Sequence, residues 1–270
     1  MSVTTLKFTK YSFSEELDEL FLIPIFDIHK GDVGFREDLL KRTIKYIKDN
    51  FKAYWFLGGD MIAAILKTSV GNVYEQTTTP EEQLMYIYRI FEGIWDRCLY
   101  IMLGNHENRI LNQTSFNAAR LLHELTGVPY TNDFATFSIS FGKSSKGRPV
   151  TYIIHAHHGI GSGRTEGSKI NNAIRIGEVL PNADIYISGH SHGNITHEDK
   201  IYLVDRQKGL IKEQKRLYIV AGSYLDYVGY PAAKALKPGV LGSPIIHLDG
   251  QKKAAYVLSG VKAHDFAEGE

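Results

Sequence analysis

Five short apolar runs, at residues 21–26, 53–57, 98–103, 150–155 and 184–188, each stop at a cluster of Asp, Asn, His or Gly. Runs of this length bounded by turn-forming residues read as buried strands. The first leads into Asp27-Ile28-His29, the second into Gly58-Gly59-Asp60, and the third into Gly104-Asn105-His106-Glu107. After the fourth comes His157-His158-Gly159, and after the fifth Gly189-His190-Ser191-His192. In open α/β sheets ligands collect beyond the carboxyl ends of the strands, so clusters far apart in sequence can converge in space.

Helical patterns separate these strands. Residues 37–50 place Leu39, Leu40, Ile44 and Ile47 on one face, and 80–95 begin with Pro80, which suits a first helical turn. Further helices are expected at 115–126, closed by Gly127, and at 169–180. The second half adds strands at 134–141, 201–204, 217–221 and 244–248. Residues 142–149 read as a turn between two strands, and the basic stretch 206–216 as an exposed hairpin or loop. There is no internal repeat. The expectation is one domain over residues 1–270, a layered α/β sandwich of βαβ winding followed by β-rich structure.

Composition narrows the function. A content of 43% hydrophobic and 23% charged residues excludes disordered and collagen-like chains. With 31 basic and 30 acidic side chains, the net charge of +1 argues against tight non-specific nucleic-acid binding but leaves small phosphate esters open. One cysteine, Cys98, excludes an intrachain disulfide and any Cys-rich zinc site. Residues 1–10 lack the apolar core of a signal peptide, and the run 21–26 is too short to span a bilayer. No membrane partner is expected, and the default location is the cytoplasm.

The polar clusters carry the chemistry. Imidazole, carboxylate and amide oxygen together suit divalent Mn, Fe, Zn or Ni, and the absence of thiolate disfavours softer ions. If Asp27 and His29, or His190 and His192, lie on extended chain, each pair points to one side. Asp60 has two oxygens and can bridge two cations, and two cations can clamp the attacking and leaving oxygens of a phosphoryl displacement. Alone, Asp-x-His or Gly-Gly-Asp is an ordinary turn or cap. Five such clusters in series are not an ordinary surface.

Asp27-x-His29, Gly59-Asp60, Gly104-Asn105-His106-Glu107, His158-Gly159 and Gly189-His190-x-His192 resemble the ordered motifs of the calcineurin-like metallophosphoesterase superfamily, over residues 22–194. Gly-Asn-His-Glu-Asn-Arg and the Gly-rich stretch 158–169 look like its phage and prokaryotic members, which implies the cytoplasm of a prokaryotic or phage-infected cell. The resemblance implies a four-layer αββα sandwich of two mixed sheets flanked by helices, with two divalent ions, Mn²⁺ first and Fe, Zn, Ni or Mg as alternatives. Asp27, His29 and His192 would hold one ion, Asn105, His158 and His190 the other, and Asp60 both. His158 is preferred to His155 and His157 because the family ligand stands directly before a Gly. His106 would be the general acid and a hydroxide bridging the ions the nucleophile. Glu107 would orient a ligand or His106, or serve as a helix-start carboxylate. Arg109 and Arg164 would contact the phosphate.

One departure matters. The family's protein Ser/Thr phosphatases read Gly-Asp-x-Val-Asp-Arg-Gly, whereas this chain reads Gly59-Asp60-Met61-Ile62-Ala63-Ala64-Ile65. The Asp that partners the catalytic His is missing, as is the Arg, so protein phosphatase activity is disfavoured. The expected substrate is a phosphodiester in nucleotides or nucleic acid. Tyr224, Tyr227 and Tyr230 would stack bases or else belong to the core, Lys208, Lys212, Lys215 and Arg216 would meet a backbone or else be solvated loop residues, and the loop 158–169 would close over phosphate or else be a surface loop. The alternatives are a phosphomonoesterase for a small metabolite and a silent metal-binding scaffold.

Overall fold

The computed structural model describes residues 7–66, 76–161, 163–228 and 239–258. Two six-stranded mixed sheets form the centre. In sheet I the order is β1 (Thr9–Ser12), β6 (Phe134–Phe141), β7 (Val150–His157), β8 (Ile185–Ser188), β10 (Leu210–Val220) and β9 (Ile195–Asp205). In sheet II it is β12 (Ala255–Leu258), β11 (Ile245–Asp249), β2 (Glu19–Ile25), β3 (Ala53–Leu57), β4 (Cys98–Met102) and β5 (Tyr130–Thr131). Strands β2 to β5 run parallel, as do β7, β8 and β10.

Alternation along the strands assigns the layers. Leu20, Leu22 and Phe26 of the β2 region pack with Phe137, Ile139, Tyr152, Ile154 and Ile187 of sheet I, so this cluster lies between the sheets. Ile23, Trp55 and Ile101 face the other way, onto Leu40, Ile44 and Ile47 of α1 (Glu37–Asp49), Leu84 and Ile87 of α2 (Pro80–Ile90), and Leu122 of α4 (Ala118–Thr126). On the outer face of sheet I, Tyr186, Tyr218 and Val220 pack under Ala173 of α5 (Glu166–Val179). The four layers are therefore helices, sheet II, sheet I and helix, which is the αββα sandwich expected. No helix among the described residues is long and apolar enough to cross a membrane.

Several boundaries differ from expectation. The helix expected over 80–95 stops at Ile90, followed by a turn and a 3-10 turn at Trp95–Arg97. The helix expected over 115–126 is preceded by another, α3 (Asn105–Thr114), which begins inside the polar cluster. Ser115 adopts a left-handed φ of 60° and ends α3, and Asn117 accepts from the Arg120 N–H to start α4. Strands β9 and β10 form one long hairpin, of which β8 pairs only with Leu217 to Val220.

That hairpin carries the expected basic contacts. Lys212 is ion-paired with Asp205, and Arg216 with Asp199 at 2.5 Å, while Lys215 is exposed on β10. Lys208 sits in the hairpin turn, at the opposite end of the 11-residue β10 (about 35 Å) from the end that meets the polar clusters. Tyr224 is fully buried, and its hydroxyl lies 2.8 Å from both Thr43 Oγ1 and Ser243 Oγ, so it is a core residue and not a base platform. Tyr227 is partly exposed, and Tyr230 lies outside the described residues.

Candidate metal centre

The parallel strands of both sheets end at one place. Asp27 and His29 follow β2, Asp60 follows β3, Asn105 and His106 open α3 after β4, His158 follows β7, and His190 and His192 follow β8. Backbone hydrogen bonds knit these ends together: Asp27 N–H donates to Gly59 O at 3.1 Å, His29 N–H to Asp60 O at 3.0 Å, and Gly189 N–H to His158 O at 2.8 Å. Across the sheets, His190 N–H donates to Asp27 Oδ2 at 2.8 Å.

The paired ligands do not arise from strand alternation. Asp27, His29, Asp60, His190 and His192 all have positive φ, between 49° and 64°. Non-glycine residues seldom adopt this region, and backbone strain of this kind gathers at functional sites. Each left-handed step turns the chain back, so the side chains on both sides of Ile28 and of Ser191 face the same cluster. Gly59, at φ 97°, lets the loops close, since a Cβ there would stand 2.5 Å from Gly104 N and 2.7 Å from His158 Nδ1.

Among the described residues, three sets of donor atoms each lie mutually within 4.8 Å: Asp27, His29 and His192; His29, Asp60 and His106; and Asp60, His158 and His190. Asp60 Oδ2 is central, 3.3 Å from His158 Nε2, 3.8 Å from His106 Nε2 and 3.9 Å from His29 Nε2. Asn105 Oδ1 lies 3.0 Å from His158 Nε2 and so joins the last set. The choice among three neighbouring histidines has a geometric counterpart. His158 faces this cluster, whereas His155 is bonded to Thr136 Oγ1 at 2.9 Å and His157 Nδ1 accepts from Gly159 N–H. His158 Nδ1 stands 3.0 Å from Gly58 O, and a carbonyl only accepts, so Nδ1 carries hydrogen. Its Nε2 is then the atom presented to the cluster, as outer hydrogen bonds commonly arrange for metal-binding histidines.

The electrostatics follow from packing charge out of water. Burial alone would raise Asp27, but the nearby His192 and His158 hold its carboxyl below the usual range. Asp60 behaves likewise and more strongly, through His158 and His106. Burial, with His106 beside it, pushes His29 down to about 3. For His158 burial also opposes charge, yet the Asp60 carboxylate outweighs it and raises the group to about 10.

The residues fit divalent cations. Asp27 Oδ1 and His29 Nε2 are buried, belong to the cluster and have no hydrogen-bond partner among the described residues. Buried polar atoms are seldom left so, and a cation satisfies both. The donor set is imidazole, carboxylate and amide oxygen, without sulfur.

The family model for calcineurin-like phosphoesterases matches residues 27–194, which begin and end on this cluster. The chain belongs to the calcineurin-like phosphoesterase family. It is therefore a metal-dependent hydrolase by membership, with a site built from His and Asp groups. No curated protein matches the sequence. Among solved structures, GAP50, described as the anchor in the inner membrane complex of Plasmodium, superposes with TM-score 0.50 at 12% identity, covering 91% of this chain and 86% of that one. The calcineurin-like phosphoesterase YfkN from Bacillus subtilis gives 0.46 at 14% identity, covering 92% of each chain. Yfce, a phosphoesterase from E. coli, gives 0.42 at 14%, covering 85% of this chain and 88% of that one.

The other expected residues lie as follows. His106 is 22% exposed in its side chain and next to the cluster, with its backbone N–H on Asp60 Oδ1 at 2.9 Å. Arg109 is half-buried on α3, four residues after Asn105 and so on the same helix face. Arg164 is exposed in the turn before α5. The stretch 158–169 is a loop only as far as Thr165, since α5 begins at Glu166; within it Ser162 lies outside the described residues, Ile160 O accepts from Asn172 Nδ2 at 3.0 Å, and Lys169 Nζ of α5 lies 3.4 Å from His192 O. Sequence reasoning left Glu107 between two roles. It is fully buried, with Oε2 accepting from the N–H of Asp60 and Gly104 and Oε1 from that of Ile62, so it both caps α3 and holds the Asp60 loop. Gln83 was missed altogether.

Proposed function

We propose that this protein is a dinuclear metal-dependent phosphodiesterase acting on nucleotides or nucleic acid. Asp27, His29 and His192 would hold one cation, Asn105, His158 and His190 the other, and Asp60 both. The observation that carries this reading is the pair of partnerless buried atoms, Asp27 Oδ1 and His29 Nε2, beside the shared Asp60 Oδ2. When bound, the two cations, Mn²⁺ first among candidates, would polarise the phosphoryl oxygens and activate water as the nucleophile.

The chain's own groups do the rest. His106 offers Nε2 on the cluster side and would protonate the leaving oxygen. Arg109, on the Asn105 face of α3, and Arg164 would contact the phosphate. Preference for a diester is supported by the segment Met61–Ile65, which is buried and apolar and supplies no cation. A diester carries one negative charge fewer than a monoester dianion and needs fewer compensating groups. The setting that agrees with this reading is the cytoplasm, and the whole chain would act as one domain.

The test is hydrolysis of bis(p-nitrophenyl) phosphate against p-nitrophenyl phosphate with Mn²⁺. Faster diester turnover is expected. Turnover of the monoester alone would replace the reading by a phosphomonoesterase. Hydrolysis of neither would favour a silent metal-binding scaffold.

A further inference from the structure

His106 has lost the carboxylate partner that its motif has in protein Ser/Thr phosphatases, and the structure supplies a different one. His106 Nδ1 is hydrogen-bonded to the backbone carbonyl of Ala63. A carbonyl only accepts, so Nδ1 carries a hydrogen in either charge state of the ring, and Nε2, which holds the proton to be donated only in the cationic ring, is the atom turned toward Asp60 Oδ2.

The carbonyl of Ala63 belongs to the same peptide unit as the N–H of Ala64. In a planar trans peptide the two point in opposite directions. The Ala64 N–H donates to Oε1 of Gln83 at 3.1 Å, while Gln83 Nε2 donates to Thr78 O at 2.6 Å. Gln83 is fully buried on α2, and one side of its amide is closed by Gly31. A Cβ at Gly31, whose φ is 101°, would stand 2.2 Å from Gln83 Nε2. Ala64 itself is left-handed, with φ 45°, so this peptide unit is not in its resting conformation and needs a clamp.

We infer that Gln83 is a positioning residue that fixes the Ala63–Ala64 peptide plane and through it aims His106 at the leaving group. It touches no substrate. It replaces the missing carboxylate by a neutral relay of amide, peptide and imidazole. The kinetic consequence rests on His106 as general acid, whereas the orientation itself does not.

Gln83→Leu keeps the volume and removes the clamp, and Gln83→Glu keeps an acceptor for the Ala64 N–H and, as the protonated carboxyl, a donor for Thr78 O. Two readouts apply to metal-loaded protein. In ¹⁵N-resolved spectra of the histidine rings, the His106 Nδ1–H signal should shift or broaden in Gln83→Leu and return toward wild type in Gln83→Glu. In turnover, Gln83→Leu should slow a diester with a poor alkyl leaving group by about tenfold or more, while a p-nitrophenyl diester changes little, since general-acid help matters most for poor leaving groups. An unaltered Nδ1–H signal in Gln83→Leu overturns the inference, as does equal slowing of both esters. A wild-type leaving-group response preserved in His106→Ala would remove the acid role and leave the clamp to the spectra alone.

Discussion

Glu107 and Asp60 are joined through the backbone: Glu107 Oε2 accepts the N–H of Asp60 at 2.9 Å, and its Oε1 accepts that of Ile62 at 3.0 Å. The same Oε2 takes the N–H of Gly104 at 2.8 Å, so one carboxylate ties the turn after β3 to the start of α3. Burial, then the charge on Asp60, pushes its carboxyl up, and these N–H donors pull it back. Glu107→Gln puts an amide N–H₂ against a backbone N–H and leaves a donor without an acceptor, a cost of about 1–3 kcal/mol. Urea unfolding should show that loss. Calorimetric titration with Mn²⁺ should also show weaker binding, because Asp60 is no longer held. Unchanged metal affinity would confine Glu107 to capping.

Asp60 and His106 should fail differently. Asp60 Oδ2 lies within 4 Å of histidines from both metal sets, so Asp60→Asn is expected to weaken both sites, read as loss of two bound Mn²⁺ per chain by elemental analysis. His106→Ala should keep the metals and slow turnover of a diester with a poor alkyl leaving group by about a hundredfold or more, the usual scale for a lost general acid. An empty site in His106→Ala would make it a ligand, which its place in the set of His29 and Asp60 allows.

Much of this was legible in the sequence because burial and periodicity are local. Residues 53–57 and 134–141 are the strands observed, since each is a continuous apolar or alternating run between turn residues. Helix α3 was hidden because Asn105, His106 and Glu107 look like ligand chemistry and leave a weak apolar stripe. The left-handed residues of the cluster could not be read, because Asp and His, although enriched at positive φ among non-glycine residues, adopt it at only a small minority of their positions. Gln83 lies 23 positions before His106, and only the fold shows that they grip the same peptide unit, through Ala64 and Ala63. Tyr224 was open to two readings, base platform or core, and packing decides for the core.

Two left-handed glycines separate strain from crowding. Gly147 has φ 70°, and a Cβ there would meet only Lys143 Cε, at 3.9 Å, whereas a Cβ at Gly59 would meet the backbone of Gly104 at 2.5 Å. Gly147→Ala should therefore cost about 1 kcal/mol, the conformational part alone. Gly59→Ala must also push apart the loops that carry Asp60, Asn105 and His158, and should cost about 2 kcal/mol or more. Thermal unfolding measures both. Equal losses would mean that the loops yield, and the site is not braced by their contact.

His155 makes a prediction about acid, independent of the metal ligands. It lies 2% exposed on the outer face of sheet I, bonded to Thr136, and burial, then the neighbouring His157, lowers it from 6.5 to about 4. Between those two values the unfolded chain binds a proton that the folded one refuses, so stability rises with pH through this window. The contribution is complete above about pH 6.5 and is lost as pH falls toward 4, by at most about 3 kcal/mol. His155→Gln, which keeps a partner for the Thr136 hydroxyl but does not titrate, should flatten the urea-unfolding curve against pH in this range. Its curve running parallel to that of the wild type would mean that His155 takes up its proton within the fold, and that the outer face of sheet I opens to water.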